Sequence, residues 1–231
     1  QILDHYMLNV QFGQLRNNLT EVAPSGELIP ELAESWEGSN GAKTWNFKIR
    51  QGVEFHNGKS LTAEDVVDSL NHHLGEESKS AAKGQLGAVT SVKADGKYGV
   101  VVELSGGDAD FPFILTDYHL LICPSNGDGT IDWQSGTGTG GFTLVEHEPG
   151  VRTLTKANPN YWKPNRRFFD EVETLQIADS AAREAALRTG ELDAMNNVSA
   201  KTADLLKRQP GIVVDATKGN KQITLPMLTN V

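Results

Sequence analysis

Residues 28–71, LIPELAESWEGSNGAKTWNFKIRQGVEFHNGKSLTAEDVVDSLN, set the signals for a strand, a tight turn and a capped helix one after another in a single short stretch. Trp45, Phe47 and Ile49 alternate with Asn46, Lys48 and Arg50, the period of a strand with one buried face, so a half-covered antiparallel sheet is implied. Asn57-Gly58 is a turn dipeptide because both residues tolerate positive φ. Thr62 is placed to cap a helix whose positive start is favoured by Glu64 and Asp65. Val66, Val67, Leu70 and Leu74 then share one helical face, and Gly75 is expected to end it. On physics alone this is ordinary α/β structure and selects no function.

The chain has 231 residues with 38% hydrophobic content, enough for one large domain or two small ones with a proper core. A net charge of -9 argues against nucleic acid or anionic lipid as a partner, because a phosphate-tracking surface needs an excess of Lys and Arg. The single cysteine, Cys123, excludes an internal disulfide and a multi-cysteine zinc site; within Leu120-Leu121-Ile122-Cys123 it reads as a buried small hydrophobe. No run of 18 apolar residues occurs, so no membrane-spanning segment is expected. The chain begins at Gln1-Ile2-Leu3-Asp4 without a start methionine or an apolar leader, which is read as a beginning that has been removed.

From the start, loosely spaced Val10, Leu15, Leu19 and Val22 predict a helix over about 9–22, closed by Pro24-Ser25-Gly26. The stretch 76–83 reads as polar and loosely helical. Residues 89–93 and 98–104 flank Asp95-Gly96 as a hairpin, 108–115 is a short helix opened by an acidic cap, and 120–123 is a buried strand. A Gly-rich connection over 126–141 is the clearest boundary by composition. Beyond it, 143–148 and 152–156 pair around Pro149-Gly150, 172–177 is a strand, and 180–189 is a helix ended by Gly190. A further helix at 199–208 is broken by Pro210-Gly211, and short strands follow at 212–215 and 223–228.

Several stretches imitate functional motifs. Gly136-Thr137-Gly138-Thr139-Gly140-Gly141 satisfies G-x-G-x-x-G, but a dinucleotide site needs a helix after it and a β-like stretch follows here. Asn126 to Asp132 looks like the middle of an EF-hand, yet Pro124 and Ser135 fall where the strongest carboxylate ligands belong. His72 and His73 are adjacent, not at the i, i+4 spacing of a zinc helix, and no G-x-S-x-G elbow occurs. Paired carboxylates such as Asp108 and Asp110, or Glu146 and Glu148, read as solvated surface charge. No catalytic residue, metal site or cofactor is expected.

Pro30, Leu32, Ala33, Ser35 and Trp36 are followed by Thr44-Trp45-x-Phe47-x-Ile49-Arg50, Gly52-Val53-x-Phe55-His56-x-Gly58 and Leu61-Thr62-Ala63-x-Asp65-Val66. This order of motifs resembles that of the extracellular solute-binding proteins of family 5, which serve peptide and nickel ABC importers. Phe111 to Leu115, Ile122 to Ser125, Asn158-x-x-Tyr161-Trp162 and Ala181 to Ala194 continue it in the same order, with Tyr161 and Trp162 expected to be packing residues. One departure is Gly141 before Phe142, where the family's Gly-Thr-Gly junction has Pro before the aromatic.

The resemblance implies an α/β fold of the periplasmic-binding-protein type (class II, peptide-binding), here the first lobe, with a mixed β-sheet plus an accessory α+β subdomain. Residues 1–12 and 138–231 would form the larger subdomain of that lobe, residues 13–137 the accessory one, and the second lobe would lie outside this chain, so that the single lobe binds weakly. The same likeness puts His5, Tyr6, Met7 and Asn9, and on another loop Tyr118 and His119, near the ligand cleft, where Tyr and His offer an apolar body with a polar tip. The implied function is capture of oligopeptides or similar small solutes outside the cytoplasmic membrane, in the periplasm or on a lipid anchor, and delivery to an ABC permease in the inner membrane. The protein would act as a monomer without chemistry of its own. Alternative cargoes are a nickel chelate, an opine or a sugar; readings of other classes are a soluble hydrolase with unrecognised catalytic residues and a non-transport sensor or chaperone.

Overall fold

The alternation that opens the sequence forms the strand it predicts. In a computed structural model that describes residues 6–216, Thr44–Ile49 is a strand whose Trp45, Phe47 and Ile49 are buried while Asn46 and Lys48 face solvent. Counting strands from the N-terminus, it is β4 and pairs with β3 (Ala33–Ser39) on one side and β6 (Gly99–Leu104) on the other; β5 (Val89–Ala94) completes the order β3-β4-β6-β5. All ladders in this sheet are antiparallel, and β5 returns into β6 through the expected Asp95-Gly96 turn. Gly38 has no side chain because the Trp45 ring lies across it, 3.1 Å from where a Cβ would stand.

One helix covers this sheet, α1 (Ala63–Asn71), burying Val66 and Leu70 against Phe47, Val100 and Val102. Its N-terminus is built around Asp65, which is fully buried. The Asp65 carboxylate accepts from the Thr62 N–H (2.9 Å), the Thr62 hydroxyl (3.0 Å), the Ser125 N–H (2.8 Å) and the Lys59 ammonium (2.6 Å). A single acid therefore caps the helix, closes the Asn57-Gly58 turn and ties down the chain after Cys123, so its burial is compensated on every side. The helix ends at Asn71, earlier than expected, and Gly75 takes φ +88° in the turn beyond. Residues 76–83 form turns, not a loose helix, held by serine hydroxyls such as Ser80, whose Oγ accepts from the Ala82 N–H.

The predicted helix over 9–22 does not form. A single π-helical turn, Met7–Gln11, is followed by a turn over 13–15 in which Gly13 takes φ +83°, and the chain then runs without a helix into β1 (Thr20–Val22), which pairs with β2 (Leu28–Pro30). Val10, Leu15 and Leu19 are buried as their spacing suggested, but the segment between them is a strut bonded along its length to distant chain. The Leu15 carbonyl accepts from Gly140, Gln14 from Phe142, Asn17 from Ile122, Asn18 from Leu32 and Leu19 from Ala33. Side chains repeat the pattern: Asn18 Nδ2 donates to the carbonyls of Leu115, Asp117 and Leu120 at 2.8–3.1 Å, and Arg16 donates to those of Asp132, Trp133 and Thr137. Asn17 and Asn18 are weak helix-interior residues whose side chains bond readily to backbone groups, and Gly13 takes φ +83°, which is why the helical reading lost.

The Gly-rich run earns its composition at this strut. A Cβ on Gly140 would stand 2.5 Å from the Leu15 carbonyl carbon, and one on Gly138 would stand 2.5 Å from Arg16 Cγ. His56 closes the junction: its Nδ1 accepts from the Gly138 N–H and its Nε2–H donates to the Gly140 carbonyl. Gly141, the position of the missing proline, lies under the Tyr161 ring. Residues 120–123 are buried as expected but form no strand; they are extended chain whose Ile122 bonds to Asn17 and whose Cys123 N–H donates to the Ser69 hydroxyl. Cys123 itself is a free, buried thiol that burial keeps protonated by pushing its pKa up.

A short helix, α2 (Phe111–Ile114), precedes that segment, and a second antiparallel sheet follows it in the order β7-β8-β9, from β7 (Phe142–Glu148), β8 (Arg152–Ala157) and β9 (Glu171–Leu175). The chain divides into two compact units, Gln1–Gln176 and Ile177–Val231. Within the second, α3 (Ser180–Thr189) has the predicted bounds, capped by Asp179 and ended by Gly190 at φ +79°. The next helix is confined to α4 (Ala203–Leu206) with turns around it, and 212–215 forms no strand. The strand expected at 223–228 lies outside the described residues.

Replacing Gly140 by Ala is expected to destabilise the protein by about 1–3 kcal/mol, because the added methyl overlaps strut backbone that cannot yield. Gly106→Ala, where no atom lies within 4 Å, should stay within about 0.5 kcal/mol of the parent. Urea unfolding of the two variants decides this; equal costs would remove the strut from its central place.

Candidate functional site

Two places on the first unit carry candidate site residues. At the first, Tyr6 stacks on His147 of β7 with ring centroids 4.0 Å apart, and its hydroxyl accepts from Gln11 Nε2 at 2.7 Å. Burial raises the pKa of that phenol, so it stays a neutral donor. Met7 and Asn9 lie half-buried in the π-helical turn, with the Asn9 carbonyl accepting from Gln14. Gln14 in turn reaches Thr174 and Thr155, so this turn is tied to the second sheet. His5 lies outside the described residues.

At the second place, Tyr118 and His119 are half-buried and their rings lie 3.9 Å apart. His119 Nδ1 meets Asp117 Oδ1 at 2.7 Å, and the same oxygen accepts the His119 N–H. Gln85 Nε2 donates to the other Asp117 oxygen at 2.9 Å. Burial opposes the charge on Asp117, but these hydrogen bonds outweigh it and hold its carboxyl below the usual range. The imidazole is thereby oriented with its Nε2 edge turned away from Asp117. Asp117 belongs to the same expected loop, whereas Gln85 was missed because it is far from that loop in sequence.

A third feature was not legible in the sequence. A cleft of about 380 Å³ opens beside the strut, with Asn17, Asn18, Thr20 and Glu31 on its floor, Tyr161 and Lys163 on its wall, and Phe12, Val22 and Arg166 at its rim. None of the expected ligand residues lines it. The Lys163 ammonium bridges Glu31 and Glu21, the latter at 2.6 Å, and Arg166 approaches Glu21 at 3.6 Å. Asn17 donates to Glu31 Oε1 at 2.6 Å and, more weakly, to the Tyr161 hydroxyl at 3.4 Å. Tyr161 thus packs on Gly141 as expected and also faces this cleft, while Trp162 packs under Arg50, whose guanidinium sits 4.9 Å from its ring centre.

Burial pushes Glu31 up to about 7 despite the attraction of Lys163. On Glu21, by contrast, the same burial effect is overcome by Lys163 and the carboxyl is lowered. One lysine between two acids favours a state in which the more buried acid keeps a proton. Elsewhere, burial lowers His73 to about 4, and its Nδ1 lies 2.6 Å from the Ser80 hydroxyl.

The family model for bacterial extracellular solute-binding proteins, family 5 Middle, matches residues 27–230. Di/tripeptide-binding protein 1 of Pseudomonas aeruginosa is 25% identical over 229 residues, covering 88% of this chain and 43% of that protein. Among solved structures, AgaA of A. tumefaciens R10 in complex with agropinic acid aligns at a TM-score of 0.79 with 27% identity, over 87% of this chain and 41% of that one. DppA of Helicobacter pylori in complex with the peptide STSA aligns at 0.76 with 25% identity, over 91% and 45%. The chain therefore spans less than half the length of each of these relatives.

The two shifted groups act on stability with opposite sign. Glu31 binds its proton more tightly in the folded protein, so its contribution falls as pH rises from about 4.5 to about 7. His73 binds its proton more weakly when folded, so its contribution is lost as pH falls from about 6.5 to about 4. Glu31→Gln should leave a profile that climbs steeply between pH 4 and 6.5, and His73→Gln one that declines toward neutrality. Urea midpoints measured across pH 4–8 test this; two variants with the parent's profile would refute it.

Proposed function

The chain belongs to the bacterial extracellular solute-binding proteins of family 5, and from that premise we propose that it forms part of the solute-binding component of an ABC importer for oligopeptides or similar small solutes. The observation that carries the reading is the family match over 27–230, joined to a fold that aligns with two ligand-bound binding proteins at TM-scores of 0.76 and 0.79. On this reading residues 1–12 and 138–231 make the larger subdomain of the first lobe, residues 13–137 make the accessory one, and the remaining length of the relatives supplies the opposing lobe. The cargo is held, not converted, and passes to a membrane permease. The setting is outside the cytoplasmic membrane; among the described residues no helix is long and apolar enough to cross a bilayer.

The ligand contacts are assigned to Tyr6, Met7 and Asn9 on one side and to Tyr118 and His119 on the other, with His5 beside the first group. Support comes from the chemistry of the second group. Two half-buried aromatic rings lie tilted against each other on a loop whose imidazole is oriented by Asp117, and Gln85 braces that carboxylate. Such a surface offers an apolar platform with a directed polar edge, suited to peptide groups and side chains of varied shape. Capture of an opine is a second reading, favoured by the alignment with AgaA in its agropinic acid complex.

The protein carrying this chain, taken at the length of its relatives, should show a saturable rise in unfolding temperature with di- to pentapeptide pools and leave every peptide intact. A ligand at a hundred times its Kd adds about 2.7 kcal/mol of stability. Tyr118→Ala is expected to weaken binding about tenfold, the loss of one well-packed aromatic contact. Peptide consumption, or an affinity indifferent to Tyr118 and Tyr6 together, would overturn the assignment, whereas binding of agropinic acid alone would select the second reading.

A further inference from the structure

We propose that the cleft beside the strut is a second binding site, separate from the cargo surface, and that it takes a small organic carboxylate with an apolar body. The first ground is a local reversal of charge. The chain as a whole has 21 Lys and Arg against 30 Asp and Glu, yet Arg16, Lys163 and Arg166 face Glu21 and Glu31 here, three cations to two acids. The acids are also already engaged: Lys163 spans both of them and Asn17 donates to Glu31. Arg16 is 2% exposed, and the hydrogen bonds it makes within the described chain go to neutral oxygens, those of Gln11, Asp132, Trp133 and Thr137. Those contacts orient its guanidinium, and the Asp132 carboxylate, which interacts with it electrostatically, does not line the cleft.

The second ground is the supply of donors. Arg166 is half-exposed and stands 3.6 Å from Glu21, beyond hydrogen-bond distance, so its planar fork can turn to a carboxylate and grip it in two places. The Tyr161 hydroxyl accepts from Asn17 and retains its own proton to give, because burial pushes that phenol up to about 12. The third ground is the rim. Phe12 and Val22 are 37% and 44% exposed at the mouth, an apolar wall in contact with water that a ligand's body would cover. A volume of about 380 Å³ lies within the range of small-molecule sites, at its lower end. An ammonium ligand is disfavoured, since the protein's own Lys163 occupies the place between the two acids.

The test uses phenylacetate as probe, acetate as the same anion without a body, and phenethylamine as the same body with the opposite charge. Titrated into the protein at low salt and neutral pH, phenylacetate should bind saturably, acetate more weakly and phenethylamine not at all. Arg166→Gln should weaken phenylacetate about tenfold, the cost of a lost charged hydrogen bond, and Phe12→Ser should weaken phenylacetate but not acetate. Both substitutions sit at the exposed rim, and neither should change peptide binding, which separates failure here from failure of the importer reading. Equal binding of phenethylamine, no saturable response to phenylacetate, or a phenylacetate affinity unchanged by both variants would each overturn the proposal.

Discussion

The buried polar strut from Gln14 to Thr20 is the constraint on which the first unit depends. Past the turn at Leu15 it crosses the interior without a helix of its own, and such chain carries unsatisfied N–H and C=O groups unless other segments come to meet them. Four other segments do so, namely the Gly138–Gly140 junction, the stretch after His119, the entry to β3 and the start of β7, while the 132–137 loop takes up the Arg16 side chain. Each contact fixes one piece of chain against a common reference. The glycines at 138 and 140 follow from this, because only a residue without Cβ lets two backbones come so close.

Burial of polar groups on this scale needs near-complete pairing, and the structure shows how it is arranged. Asn18 spends its amide on three carbonyls, Asp65 collects four donors, and Arg16 is held by oxygens from two directions. Where two acids share one lysine, at Glu21, Lys163 and Glu31, the cost of burial appears as a Glu31 carboxyl that keeps its proton close to neutrality. Structural rigidity and an unusual charge environment therefore arise together beside the same strut, and the cleft is the space left between them.

Much of the fold was legible because it obeys local rules. Trp45, Phe47 and Ile49 alternate, Thr62 and Asp65 cap a helix, Asp95-Gly96 and Pro149-Gly150 turn hairpins, and Gly190 ends α3, each at the residue expected. The strut was not legible. Val10, Leu15 and Leu19 have helical spacing, and nothing nearby reveals that Asn17 and Asn18 will bond to residues about a hundred positions away. The cleft was hidden for the same reason, since Glu21, Glu31 and Lys163 meet only after folding. Of the expected ligand residues, the pairing of Tyr118 with His119 follows from adjacency, whereas the bracing by Gln85 and the stacking of Tyr6 on His147 are tertiary.

On the proposed function, the protein holds a small solute without converting it. Native mass spectrometry of the protein at the length of its relatives, mixed with a tripeptide and followed over hours, tests that idea most directly. A one-to-one complex that releases the peptide at its original mass on denaturation is the expected result. Fragments of the peptide accumulating with time would contradict it.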